Sequence, residues 1–91
     1  MKIIKVPKNN IIMQGITHYP WSSHRFIVYF HEYKNEMHID VNAYFHETEN
    51  GFYECLMYYN RHLCNNLEEL RQMTFDDIER QAYGAYMDGA R

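Results

Sequence analysis

Two prolines and four glycines among 91 residues are too few for a collagen-like or Pro/Gly-rich low-complexity chain. Cysteine is nearly as rare. Cys55 and Cys64 stand alone, which excludes a disulfide-stapled scaffold and leaves no paired thiols at the short spacing of a structural zinc site. The longest apolar runs are four or five residues, far below the length of a membrane-spanning helix. Met1-Lys2 is followed only by Ile3-Ile4 and then Lys5, so a signal peptide is not expected, and a reducing cytoplasm is the expected location. Neither a glycine-rich phosphate loop nor a nucleophile–base motif occurs, and enzymatic chemistry is not expected.

Positive charge is also sparse over most of the chain. Lys2, Lys5, Lys8 and Arg25 stand in residues 1–25 without an acid, whereas residues 26–91 carry all twelve acids against five basic residues. Such a balance repels nucleic acid over the bulk of the chain and suits a basic protein partner.

What the chain holds in quantity is aromatic. Nine tyrosines account for most of the 16% aromatic content, and six histidines accompany them. Apolar content is 46%, enough for a folded core, and 91 residues make one domain. Residues 1–24 read as an N-terminal strand or hairpin followed by a loop: Lys2–Val6 ends at Pro7, Ile11–Gln14 is a return strand, and Gly15–His24 lacks periodicity. Residues 25–60 read as a β-meander of Arg25–Tyr33, Met37–His46 and Phe52–Tyr59, rich in β-branched and aromatic side chains. The third run also fits helical spacing through Phe52, Cys55, Leu56, Tyr59 and Leu63, but Gly51 and the tyrosine density favour a strand. Residues 65–88 read as helical, with caps at Asn65-Asn66 and Thr74 ahead of first-turn acids. The expected fold class is α+β: a small antiparallel β-sheet of three to five strands, with two C-terminal α-helices on its apolar face.

One register satisfies the first two runs of the meander. With Lys34-Asn35 at the turn, Phe30 faces Ile39, Val28 faces Val41 and Phe26 faces Ala43, and a one-residue slip would scramble that apolar row. Asn50-Gly51 marks the next hairpin, but a two-residue loop there would set Glu47 against Glu54, which favours a longer or bulged loop.

The other face of Met37–His46 carries His38, Asp40, Asn42, Tyr44 and His46. His38 and His46, eight residues apart, would be separated by about 26 Å along a strand and cannot share a metal. His31, however, falls opposite His38, with Asp40 one step along the same face. Two imidazoles and a carboxylate can ligate a divalent ion, but the plain polar face of a half-buried sheet is the favoured reading and no metal is expected. Paired histidines would also repel each other once protonated.

Tyr29, Tyr33 and Tyr44 share that face, and tyrosine gives large rigid contact area with a polar tip. Trp21, in a loop beside Pro20, is a further hot-spot candidate. These observations lead to a non-enzymatic protein-binding module, an inhibitor or adaptor that occludes a basic site on a larger partner. Its contact residues would be Tyr29, His31, Tyr33, His38, Asp40, Tyr44 and Trp21, with no catalytic residue, cofactor or membrane contact. Virus- and phage-encoded proteins that block host enzymes share this small, acidic, motif-free character. The alternative is single-stranded nucleic-acid binding, with bases stacked on the aromatic face and phosphates held by the N-terminal basic residues. On this reading Val41→Asp unfolds the domain, whereas Asn42→Asp, on the polar side, is mild. Cys55 and Cys64 fall on separate elements and are expected to be reduced; intact mass under non-reducing conditions should show two free thiols.

Overall fold

The computed structural model describes residues 2–18 and 23–91. Its strands are β1 (Ile3–Pro7), β2 (Ile11–Ile16), β3 (Arg25–Tyr33), β4 (Glu36–Asn42), β5 (Phe45–Glu47), β6 (Phe52–Leu56) and β7 (Asn60–Cys64). The helices are α1 (Leu67–Arg71) and α2 (Phe75–Gly89). The strands form two antiparallel sheets, a larger one in the order β2-β3-β4-β7 and a smaller one in the order β1-β6-β5. The α+β class therefore holds, but one sheet of three to five strands becomes two sheets with seven strands among the described residues.

The β3–β4 register is the expected one: Phe30 faces Ile39, Val28 faces Val41 and His31 faces His38. Lys34 and Asn35 both adopt positive φ (51° and 66°), the left-handed pair that closes a two-residue turn without splaying its strands. Phe26, Val28, Ile39 and Val41 are fully buried against Ile78, Ala82 and Ala85 of α2 and against Leu70 of α1. Burying each of the larger side chains contributes about 1.5–3 kcal/mol, which ties the helices to this face. Both helices begin as anticipated: Asn66 accepts from the Glu69 N–H, and Thr74 forms a reciprocal capping box with Asp77. The Thr74 backbone N–H bonded to Asp77 holds that carboxyl below the ordinary aspartate range.

Gly84 lies inside α2, where glycine is a poor helix former. The close approach of Arg61 explains it, since a Cβ at Gly84 would fall 2.2 Å from the Arg61 guanidinium. Arg61 crosses the helix there to reach Gln81 and Asp88, and this ion pair lowers the Asp88 carboxyl.

The opposite face of the larger sheet departs from expectation. It is covered by the smaller sheet, and Val6, Ile27, Tyr29, Tyr53 and Cys55 form a second core between the two. The chain reaches this arrangement by changing sheets three times. Lys8–Asn10 and Met57–Tyr59 are single 3₁₀ turns between strands of different sheets, and Ala43-Tyr44 is a bend between β4 and β5. The N-terminal hairpin is thus corrected: β1 pairs with β6 and β2 with β3, so the two never meet as partners. The Met37–His46 run is likewise two strands, and Phe52–Tyr59 ends in a turn that leads to a further strand. The Asn50-Gly51 loop is the longer type, with Thr48 bonded to Phe52 and Gly51 at φ 81°. Glu54 consequently faces His46, which it meets at 2.8 Å, rather than Glu47.

Asn42 sits at these crossings and is completely buried. Its Oδ1 accepts from the Tyr44 backbone N–H at 2.9 Å, and its Nδ2 donates to the Leu56 carbonyl at 2.9 Å. One amide thereby fastens the bend at Ala43-Tyr44 to the turn that follows β6. The two cysteines are free and lie in different cores, Cys55 between the sheets and Cys64 beneath the helices. Burial pushes the Cys55 thiol up to about 12 and raises Cys64 as well.

The expected tolerance of Asn42→Asp is reversed by this geometry, because the substitution removes the donor and sets a buried charge against the Leu56 carbonyl. Both Val41→Asp and Asn42→Asp should cost at least about 2 kcal/mol in urea denaturation. A loss for Asn42→Asp no larger than that of a surface substitution would contradict the assigned role.

Candidate functional site

The smaller sheet leaves one end of the larger sheet's inner face uncovered, and the side chains gathered there are histidines around a carboxylate. Asp40 is 4% exposed, while the side chains of His31 and His38 are each 20% exposed. A buried carboxylate is costly unless its oxygens are hydrogen-bonded. Asp40 meets that condition on both oxygens. Its Oδ2 lies 2.7 Å from His31 Nε2 and accepts from Asn60 Nδ2 at 3.0 Å. Its Oδ1 lies 2.9 Å from His62 Nδ1 and 3.9 Å from His38 Nδ1. An ionised carboxylate only accepts, so the imidazole nitrogens beside it act as donors.

Local structure explains each position. The β3–β4 hairpin places His31 opposite His38, and Asp40 follows two residues on with its side chain on the same face. His62 arrives through a bulge. Ile39 pairs with Cys64 and Asp40 with His62, so Leu63 is an extra residue on β7. Continued from Ile39–Cys64 without the bulge, regular pairing would set His62 opposite Val41 and turn it towards the helices. The bulge lets Cys64 enter the helix-side core while His62 faces Asp40. Sequence reasoning missed His62 in this role, and the break in alternation at His62-Leu63-Cys64 is the signal that could have found it.

Asn60 is the other residue missed. It occupies the same face of β7 and accepts from the Tyr29 hydroxyl through Oδ1 while donating to Asp40. Tyr29 is completely buried, and burial foremost, with Asp40 nearby second, raises its phenol well above the ordinary tyrosine range. The chain Tyr29–Asn60–Asp40 thus anchors the carboxylate from inside the sandwich.

Tyr33, His31 and His38 gather with Asp40 as anticipated. The Tyr33 and His38 rings meet at 5.3 Å, and His38 and His62 at 4.2 Å. With Ile4, Met57 and Asn60, these residues line a pocket of about 210 Å³. Three expected contact residues do not join them on a surface. Tyr29 is interior because the smaller sheet covers that part of the face, and Asp40 lies beneath His31, Asn60 and His62, which bond to it. Tyr44 is exposed but lies beyond the far end of β4, its ring tilted against that of Tyr59 at 4.9 Å. Trp21 lies outside the described residues. His46 stands apart, paired with Glu54 on the smaller sheet.

No family model matches the chain, and comparison with curated proteins and solved structures finds no match.

The raised phenol of Tyr29 carries a pH consequence. Its folded value lies above the unfolded one, so the contribution is fully present below about pH 10 and is lost as pH rises beyond it. Ultraviolet titration should show at least one of the nine tyrosines staying un-ionised until the protein unfolds in alkali. Full phenolate absorbance in a still-folded protein would contradict the burial.

Proposed function

We propose that the chain is a small non-enzymatic protein-binding module, an inhibitor or adaptor that occludes a basic site on a larger partner. Its contact surface is the open end of the sandwich rather than the whole tyrosine face. The observation that carries this reading is the pocket rim, where Tyr33 (49% exposed) and Met57 (36% exposed) stand beside the rings of His38 and His62. Rigid aromatic and methionine side chains around a shallow pocket suit a central anchor from a partner. Glu36 faces Tyr33 across the hairpin, and the acidic excess of residues 26–91 would favour encounter with a basic protein. The non-enzymatic part rests on the thiols: both are buried with raised pKa, the reverse of an activated nucleophile.

The nucleic-acid alternative has less support. Lys5 faces Glu54, Lys8 is bonded to Glu47, and the Arg25 guanidinium lies 5.2 Å from the centre of the Phe45 ring. These cations are partly committed within the protein, and Tyr29 has no face on which a base could stack.

The test is affinity capture from cell lysate in the presence of chelator. Wild-type bait is compared with a Tyr33→Ala/Met57→Ala variant and with Arg71→Ala, which lies on α1. A protein held by wild type and by Arg71→Ala should be retained at least about tenfold less by the double variant, as for loss of a hot spot. Equal retention by all three, or salt-dependent binding of a single-stranded oligonucleotide in place of a protein, would overturn the proposal.

A further inference from the structure

We infer that His31, His38 and Asp40 form a binding site for a divalent first-row transition ion of the zinc type. Each supplies one donor atom, and the three donors lie within 4.8 Å of one another. A tetrahedral ion with bonds of about 2.0–2.2 Å needs donors about 3.3–3.6 Å apart. His31 Nε2 lies 2.7 Å from Asp40 Oδ2 and His38 Nδ1 lies 3.9 Å from Asp40 Oδ1, so the two imidazoles approach the two oxygens of one carboxylate on either side of that range. Binding requires side-chain rotations that close the 4.8 Å spread of the three donors to that range.

The donor set selects the ion. Calcium and magnesium prefer shells made of oxygen, whereas two imidazoles with one carboxylate suit zinc, cobalt, nickel or ferrous iron. The support around the donors is that of a metal site rather than of a solvated polar face. Asp40 is held by Asn60, which is held in turn by buried Tyr29, and His62 bonds the carboxylate from the open side. Hydrogen-bonded partners of this kind fix ligand orientation. On binding, the ion takes over the carboxylate contact that the His31 Nε2–H makes in its absence, and neutral His31 passes to its Nδ1–H tautomer, which frees Nε2 to ligate with no net loss of a proton. Three protein donors leave a coordination position for water on the pocket side, so the site is not a closed structural one.

This inference goes beyond the binding reading and does not depend on it, because it is measured on the isolated protein without a partner. The experiment is titration of metal-free protein with Zn²⁺ by calorimetry and with Co²⁺ by visible absorption. Expected are one ion per chain, micromolar or tighter affinity, and the intense d–d bands of low-coordinate Co²⁺. His31→Gln/His38→Gln should abolish stoichiometric binding, and His62→Ala should weaken it by about 10–100-fold. Should the double variant fail to fold, the wild type alone decides: Zn²⁺ must shift the ring resonances of His31 and His38 while leaving those of His46 in place. No stoichiometric ion, binding that survives in a folded double variant, or ring shifts confined to His46 would each overturn the site.

Discussion

A nearly buried carboxylate on the inner face of the larger sheet sets the conditions that much of this structure satisfies. Asp40 stands in the middle of β4, close to the second core, with little water available to it. An ionised side chain there needs donors on both oxygens, and they come from the two flanking strands: His31 on β3, Asn60 and His62 on β7. Strand order and register are therefore bound to electrostatics as well as to apolar packing. A slip of either neighbouring strand would expose hydrophobic side chains and also leave a buried charge without partners.

The two faces of the larger sheet are covered by different physical means. On the helix side, aliphatic side chains and alanines pack tightly, as Val28, Val41, Ala82 and Ala85 do. On the other side, the layer between the sheets mixes Val6, Ile27 and Cys55 with tyrosine and asparagine, whose polar atoms require defined partners. Asn42 serves the chain crossings and Asn60 serves Asp40. The smaller sheet stops short of the hairpin end, so the same polar network that is closed around Asn42 opens to solvent at His31 and His38. The proposed binding surface and the proposed ion site both lie at that opening.

Much of the helix-side architecture was legible in the residues. Alternating apolar side chains fixed the β3–β4 register, and Asn66 and Thr74 marked the helix starts. The covered sheet face was not, because Tyr29, Asp40 and Asn42 read as solvent-facing when their hydrogen-bond partners are distant in sequence. Asn60 lies 18 residues beyond Asn42 and 20 beyond Asp40. Sheet crossings were hidden for a related reason: the run from Met37 to His46 alternates without interruption, although its two halves belong to different sheets. At the site, His31, His38 and Asp40 followed from the register alone. His62 depended on a one-residue bulge, which changes a side chain's face without any glycine or proline to announce it.

Asp40 as the acceptor that gathers the histidines is open to one direct measurement: the long-range proton–nitrogen spectrum of the imidazole rings in metal-free protein. The account predicts protected N–H protons on His31 Nε2 and His62 Nδ1, slow to exchange because each is bonded to the carboxylate, and both lost in Asp40→Ala. Ring N–H protons of His31 and His62 that exchange like those of free imidazole, unchanged by that substitution, would contradict it.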